Sequence, residues 1–132
     1  MRYEYNKKVE IKDIADLRES VGWPGMESEY KNPSLTNYYH VACYDDNNVL
    51  IGYAEVVSNG VSDAYIQDVM VNPNYQGKGI GTELMNNCIS HLKKNNIYMI
   101  SVIYGEADLK AFYEKLGFFT MLCGQMETRK LE

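Results

Sequence analysis

Gln76-Gly77-Lys78-Gly79-Ile80-Gly81 joins a stretch that reads as a strand, residues 64–71, to one that reads as a helix, residues 79–95. That is the context a phosphate-binding turn requires. Glycines let the backbone turn sharply and come close to a ligand, because they lack a Cβ and tolerate positive φ. The free N–H groups of the following helix then face outward, and the helix dipole adds roughly half a positive charge at that end. Two nucleotide-binding patterns fail here. A Walker loop ends in Gly-Lys-Ser/Thr, whereas Gly77-Lys78-Gly79 has Ile80 next. A dinucleotide Gly-x-Gly-x-x-Gly loop fails because, counted from Gly77 and Gly79, Thr82 stands where the third glycine should be. A glycine turn that binds nothing stays open as an alternative at this point.

Outward from the loop, Ile80, Leu84, Cys88 and Leu92 fall every fourth position, with Met85 and Ile89 beside them, which is the stripe of a helix buried on one face. Upstream, residues 38–44 and 49–57 are rich in β-branched and aromatic residues, and Asp45-Asp46-Asn47-Asn48 between them is turn chemistry, so they form a hairpin. Ser58-Asn59-Gly60 is a second turn. Nearer the start, residues 2–6 read as a short first strand, and Ile14, Leu17 and Val21 mark an amphipathic helix that should stop at Gly22-Trp23-Pro24-Gly25. A second helical piece spans residues 26–32, limited by Pro33. Downstream come a fifth strand at 97–104, a helix at 107–116 ended by Gly117, and final strands at 118–122 and 125–129 around Gly124. The expected class is α/β, a twisted mixed sheet with helices on both faces.

The chain has 132 residues and 45% hydrophobic content, enough to bury one core, and nothing invites a cut, so residues 1–132 read as a single domain. No apolar run approaches the roughly 18 residues of a membrane span, and the start lacks the apolar stretch of a signal peptide; a cytosolic protein without a membrane partner is expected. Cys43, Cys88 and Cys123 match neither a disulfide framework nor a zinc-ligand spacing, and only His40 and His91 are histidines, so no metal is expected. A formal net charge of −5 argues against nucleic acid as a partner, because such binding draws on Lys and Arg neutralising phosphates, and suits a cationic small molecule better.

Gln76-x-x-Gly79-x-Gly81 resembles the Arg/Gln-x-x-Gly-x-Gly/Ala signature of the GNAT superfamily of N-acetyltransferases. Upstream, residues 65–73 look like that family's fourth strand. Downstream, Ala111-Phe112-Tyr113-Glu114-Lys115-Leu116-Gly117-Phe118 looks like its closing helix and the strand after it. The resemblance implies a single-domain GNAT-like fold, a mostly antiparallel twisted sheet of six to seven strands flanked by about four helices. It implies acetyl-coenzyme A as donor, held where the fourth and fifth strands splay apart. Backbone groups around Met70, those of Val69 and Val71, would hold the pantetheine arm and orient the thioester carbonyl. The pyrophosphate would lie on the loop Gln76, Gly77, Lys78, Gly79, Ile80 and Gly81, with Thr82 nearby. Glu106 departs from the pattern: it stands where many members carry an asparagine that contacts coenzyme A. Residues 17–27 shape the acceptor pocket in relatives and vary among them.

An amine attacks a thioester only as the free base, so the acceptor's ammonium must lose a proton. Asp68, beside the expected thioester, either holds the ammonium and relays its proton or is a structural carboxylate bonded to neighbouring backbone. Glu55 is the alternative base, although Glu55-Val56-Val57 reads as a strand stretch that turns Glu55 to solvent. Trp23, Tyr30, Tyr38 and Tyr39 either line the acceptor pocket or belong to the core. Tyr113 matches the family tyrosine that gives a proton to the leaving thiolate. Cys88, on the apolar helix face, lacks the electropositive setting of a reactive thiolate. The expectation is therefore direct acetyl transfer to a primary amine of a small-molecule acceptor, without an acyl-enzyme, by a monomer or homodimer. Acetylation of a protein N-terminus or lysine, and a non-catalytic acyl-coenzyme A binding module, are the alternatives.

Overall fold

A strand covered on both faces needs apolar residues at consecutive positions rather than alternating ones. Residues 50–57, Leu-Ile-Gly-Tyr-Ala-Glu-Val-Val, meet that need except at Glu55. In the computed structural model, which describes residues 1–130, they form the central strand β3 (Leu50–Ser58), buried from Leu50 through Val56. Antiparallel to it on either side lie β2 (Tyr39–Tyr44) and β4 (Asp63–Val71). β1 (Arg2–Tyr5) extends the sheet beyond β2, and β5 (Met99–Val102) joins β4 in parallel, giving the order β1-β2-β3-β4-β5. The β2–β3 turn forms as its residues predict: the Asp45 carboxylate accepts from the N–H groups of Asn47 and Val49, and Asn48 takes the left-handed conformation.

Helices α1 (Ile11–Ser20) and α2 (Glu27–Tyr30) cover one face of the sheet, α3 (Ile80–Lys94) and α4 (Lys110–Lys115) the other. Under α1, Ile14 and Leu17 pack with Ala42, Tyr44, Tyr53 and Met70. Under α3, the predicted stripe of Ile80, Leu84, Met85, Cys88 and Leu92 meets Val41, Cys43, Ile51 and Ile66. Gly52 sets the distance between α3 and the sheet: a Cβ there would lie 2.9 Å from Ile80 Cγ2 and 3.3 Å from Cys43 Cβ. That close approach fixes where α3 begins relative to the end of β4. Short 3-10 turns, Pro73–Tyr75 and Ala107–Leu109, precede α3 and α4.

The expectation of six to seven strands is corrected to five. Residues 118–122 and 125–129 form no strand, and Phe119, Met121, Leu122 and Met126 are exposed. β-propensity describes residues that fit a pleated, half-buried surface, and it makes a strand only where a partner ladder satisfies the backbone. The available partner is the outer edge of β5, four residues long, and a cavity of about 750 Å³ separates it from the segment after Gly117. No described helix is long and apolar enough to cross a membrane.

Candidate active site

The site is organised by a bulge in β4. Tyr53 pairs with Met70 and Glu55 with Gln67, so Ala54 alone faces both Asp68 and Val69. Asp68 takes a positive φ of 52°, the extra residue of the bulge. Pairing of β4 with β5 ends at Ile66 opposite Val102. Beyond it, Val69, Met70 and Val71 have no strand on that side, and the two strands splay. Met70 buries its side chain in the α1 core, while Val69 and Val71 pack on the α3 side. The amide of Gln76 donates to the Val71 carbonyl at 3.0 Å, tying the glycine loop to the end of β4.

Gly77 and Gly79 have φ of 79° and 84°, and a Cβ on either would meet nothing within 4 Å. Gly79 is the N-cap of α3 and no side chain caps that terminus. The first N–H groups of the helix are therefore without intrahelical partners in open space, an arrangement suited to an anion. Ile80, buried, anchors the turn, and Lys78 extends over the Tyr75 ring with its Nζ 5.3 Å from the centroid. Gly81 faces Phe112 of α4 at ordinary contact distance. Thr82 lies in the first turn.

On the α1 side of the bulge lies a polar cluster with Arg18 and Glu55 buried and Tyr30, Gln67 and Asp68 half-buried. Arg18 Nη1 is 2.8 Å from Asp68 Oδ2, and the Tyr30 hydroxyl is hydrogen-bonded to the same oxygen. Tyr30 Oη also lies 3.0 Å from Glu55 Oε1, and Gln67 donates to Glu55 Oε2 at 3.0 Å. Asp68 is thus held by side chains of distant elements rather than by neighbouring backbone. Glu55 is corrected from solvent-facing to buried, 1% exposed, because the strand that carries it is covered by helices on both faces. Burial pushes its carboxyl above the ordinary glutamate range and Asp68 adds to the shift, while hydrogen bonds from Gln67 and Tyr30 oppose it. Burial, then the two carboxylates, also raise the Tyr30 phenol.

Arg18 is the member that sequence reasoning missed, and a local signal existed. Helix α1 ends in a Schellman motif: Gly22, left-handed, donates to Glu19, and Trp23 donates to Arg18. The motif brings its two flanking side chains together, so the Trp23 ring lies 5.4 Å from the guanidinium, whose Nε donates to Pro24 O at 2.7 Å. The same device closes α4, where Gly117 donates to Glu114 and Phe118 to Tyr113. It seats Phe118 edge-on to Tyr113, which also stacks on Tyr104 at 4.8 Å. Tyr113 is 6% exposed, and burial raises its phenol above the ordinary tyrosine range.

A family model described as Acetyltransferase (GNAT) family matches residues 8–118. The chain belongs to the GNAT acetyltransferase family. It is 31% identical over 117 residues to an uncharacterized N-acetyltransferase, ycf52, of Pyropia yezoensis, covering 86% of this chain and 67% of that one. It is 31% identical over 121 residues to the histone acetyltransferase TAP1 of Glycine max, covering 83% of this chain and 52% of that one. The chain thus spans about two thirds and about half of these relatives' lengths. Among solved structures, a GNAT family acetyltransferase of Streptococcus pneumoniae superposes with a TM-score of 0.81 at 24% identity, over 99% of this chain and 98% of that one.

This GNAT fold gathers the expected residues unevenly. Val69, Met70 and Val71 lie on the free edge of β4, with the turn from Gln76 to Thr82 directly after it. Asp68, Tyr30 and Trp23 meet around Arg18. Tyr38 and Tyr39 do not join them, because both lie against His91 of α3 on the opposite face, Tyr39 stacked on its ring at 3.8 Å and Tyr38 tilted to it at 5.8 Å. Cys88 is fully buried, and burial pushes its thiol up to about 12. Among the described residues, no group of three or more His, Cys, Asp or Glu is arranged to hold a metal ion.

Proposed function

We propose that this GNAT chain transfers the acetyl group of acetyl-coenzyme A to the primary amine of a small-molecule acceptor, by direct attack and without an acyl-enzyme. The observation that carries the reading is the meeting at Asp68 of two features, the unpaired edge of β4 and the charged cluster. On the donor side, an uncapped helix terminus with open space around Gly77 and Gly79 fits a pyrophosphate. The backbone N–H groups of Gln76, Gly77, Gly79 and Gly81, with Lys78, Ile80 and Thr82 in the same turn, would hold it. The free edge of Val69, Met70 and Val71 would take the pantetheine arm by strand-like hydrogen bonds.

On the acceptor side, the ammonium meets the Asp68 carboxylate and loses a proton there. The amine nitrogen then bonds to the thioester carbon, the C–S bond breaks, and the Tyr113 phenol gives its proton to the departing sulfur. A thiol held as protonated as that of Cys88 offers no nucleophile for a covalent route. Similarity to a histone acetyltransferase favours a second reading, in which the amine is a lysine side chain of a protein. A panel of small primary amines and lysine peptides, assayed with acetyl-coenzyme A by thiol release, separates them. Turnover of small amines is expected. Turnover of peptides alone would move the acceptor to protein, and binding of coenzyme A with no turnover of any amine would leave a binding module.

A further inference from the structure

Tyr30 has one proton and two carboxylate neighbours. Its Oη is within hydrogen-bonding distance of Glu55 Oε1 and Asp68 Oδ2 at once. A phenol donates once and otherwise accepts. Were both carboxylates ionised, one of these O···O contacts would hold no hydrogen, so the cluster at rest needs a further proton on one carboxyl. The surroundings decide which. Asp68 Oδ2 has the Arg18 guanidinium 2.8 Å away, an opposite charge at ion-pair distance. Glu55 has no cation: it faces Tyr30 from α2, Tyr53 on its own strand, and Gln67 and Asp68 from β4, while Arg18 from α1 is spent on Asp68. Buried and without an opposite charge, Glu55 holds the proton and donates it to Tyr30, which donates to Asp68.

We propose that Tyr30 is a proton relay between Asp68 and Glu55, and that the acceptor's ammonium proton comes to rest on Glu55 rather than on Asp68. The transfer role rests on the acetyltransferase reading above; the resting position of the proton does not. A protonated Glu55 accepts nothing, so the relay starts only in molecules whose Glu55 has first released its resting proton to solvent by way of Tyr30 and Asp68. In these, one N–H bond of the ammonium breaks and its proton passes to Asp68. Asp68 gives a proton to Tyr30 Oη as the phenolic proton moves to Glu55 Oε1. The amine lone pair is then free, Asp68 is again an anion beside Arg18, and the single anion left in the cluster is the one with a cation. Asp68, at the bulge, is the member that meets the substrate; Tyr30 and Glu55 act through it. The relay is built from α2, β3 and β4, which is why no one stretch of sequence displays it.

The first test needs no substrate. Difference infrared spectra of the parent protein against Glu55→Gln at neutral pH should show a protonated-carboxyl stretch that the variant lacks. Glu55 keeps its proton to higher pH in the native chain than in the unfolded one. Its stabilising contribution is therefore complete below the ordinary glutamate range, near about 4.3, and lost as pH rises through the native value. Parent stability should fall relative to Glu55→Gln across that window. Absence of both the band and the relative fall would overturn the resting proton. The second test is kinetic. With the primary alkylamine turned over fastest in the panel, Glu55→Gln and Tyr30→Phe should each lower kcat/KM about 100-fold or more. With O-methylhydroxylamine, whose nitrogen is unprotonated at neutral pH, both should keep close to the parent rate. Equal losses on the two acceptors would make the pair structural and overturn the relay. A panel without any turnover would sink the acetyltransferase reading while the infrared result still reported the proton.

Discussion

Asp68 combines three burdens in one residue: a left-handed backbone, an ion pair with Arg18, and the only cluster carboxylate at the bulge that parts β4 from β5. Asn tolerates positive φ nearly as well as Asp, so Asp68→Asn isolates the charge. It should lower stability, by up to about 3 kcal/mol, since the largely buried Arg18 loses its anion and keeps only Pro24 O and the Trp23 ring. It should also lower acceptor turnover more than donor affinity. Denaturant titration beside amine kinetics checks both, and a stable variant with full turnover would remove Asp68 from the reaction. Tyr113→Phe keeps the ring stack with Tyr104 and deletes only the hydroxyl, so folding and donor binding should persist while chemistry-limited turnover falls about 100-fold or less, a thiolate being a good leaving group already. Wild-type turnover would leave Tyr113 a packing residue. Asp68 and Tyr113 drew notice in the sequence because each sits in a recognisable run. Glu55 reads there only as an alternative base turned to solvent, and Arg18 does not stand out at all, because their surroundings arise only when residues 18, 30, 55 and 68 converge. No spacing along the chain encodes that convergence.

Among the elements, helix ends and the α3 stripe were the most legible features. Gly22 and Gly117 announced the ends of α1 and α4, and the left-handed residue after α3 is Asn96, the next best choice after glycine. The periodic stripe of α3 was legible for the same reason that it folds, a single face presented to the sheet. The terminal strands were misread because residues 118–129 satisfy the local requirement of a strand but not the non-local one, a ladder partner. Gly52 is the opposite case, a residue that local reading treats as a weakness of β3 and packing makes indispensable. A β-branched Ile80 in a helix has little rotamer freedom to move aside. Gly52→Ala should therefore destabilise the protein by about 1–3 kcal/mol, as overpacking does, and loosen the placement of the glycine loop. Unchanged thermal stability would show that α3 can shift without penalty.

At the scale of the molecule, a net charge of −5 would have to coexist with the proposed anionic donor, whose attraction would then come from the local field of the α3 terminus rather than from the surface as a whole. Coenzyme A should raise stability by about 2.7 kcal/mol at a hundredfold excess over its Kd. NAD and ATP should do less, and Gly79→Val, which forces a branched side chain onto a φ of 84°, should abolish the gain. Stabilisation by NAD or ATP without any by coenzyme A would contradict the assigned loop. The strand order carries a further consequence, for time. β2, β3 and β4 are neighbours in both sequence and sheet, whereas β5 reaches β4 only after the whole of α3 has intervened. Local pairings close small loops and form early; the parallel pairing closes a long one and waits. Pulsed hydrogen exchange during refolding should protect the amides of β3 before those of β5, and simultaneous protection would refute that order. Glu55 and Gln67 thus come together on a hairpin before any cleft exists, and in the life of each molecule the carboxylate cluster is older than the open edge beside it.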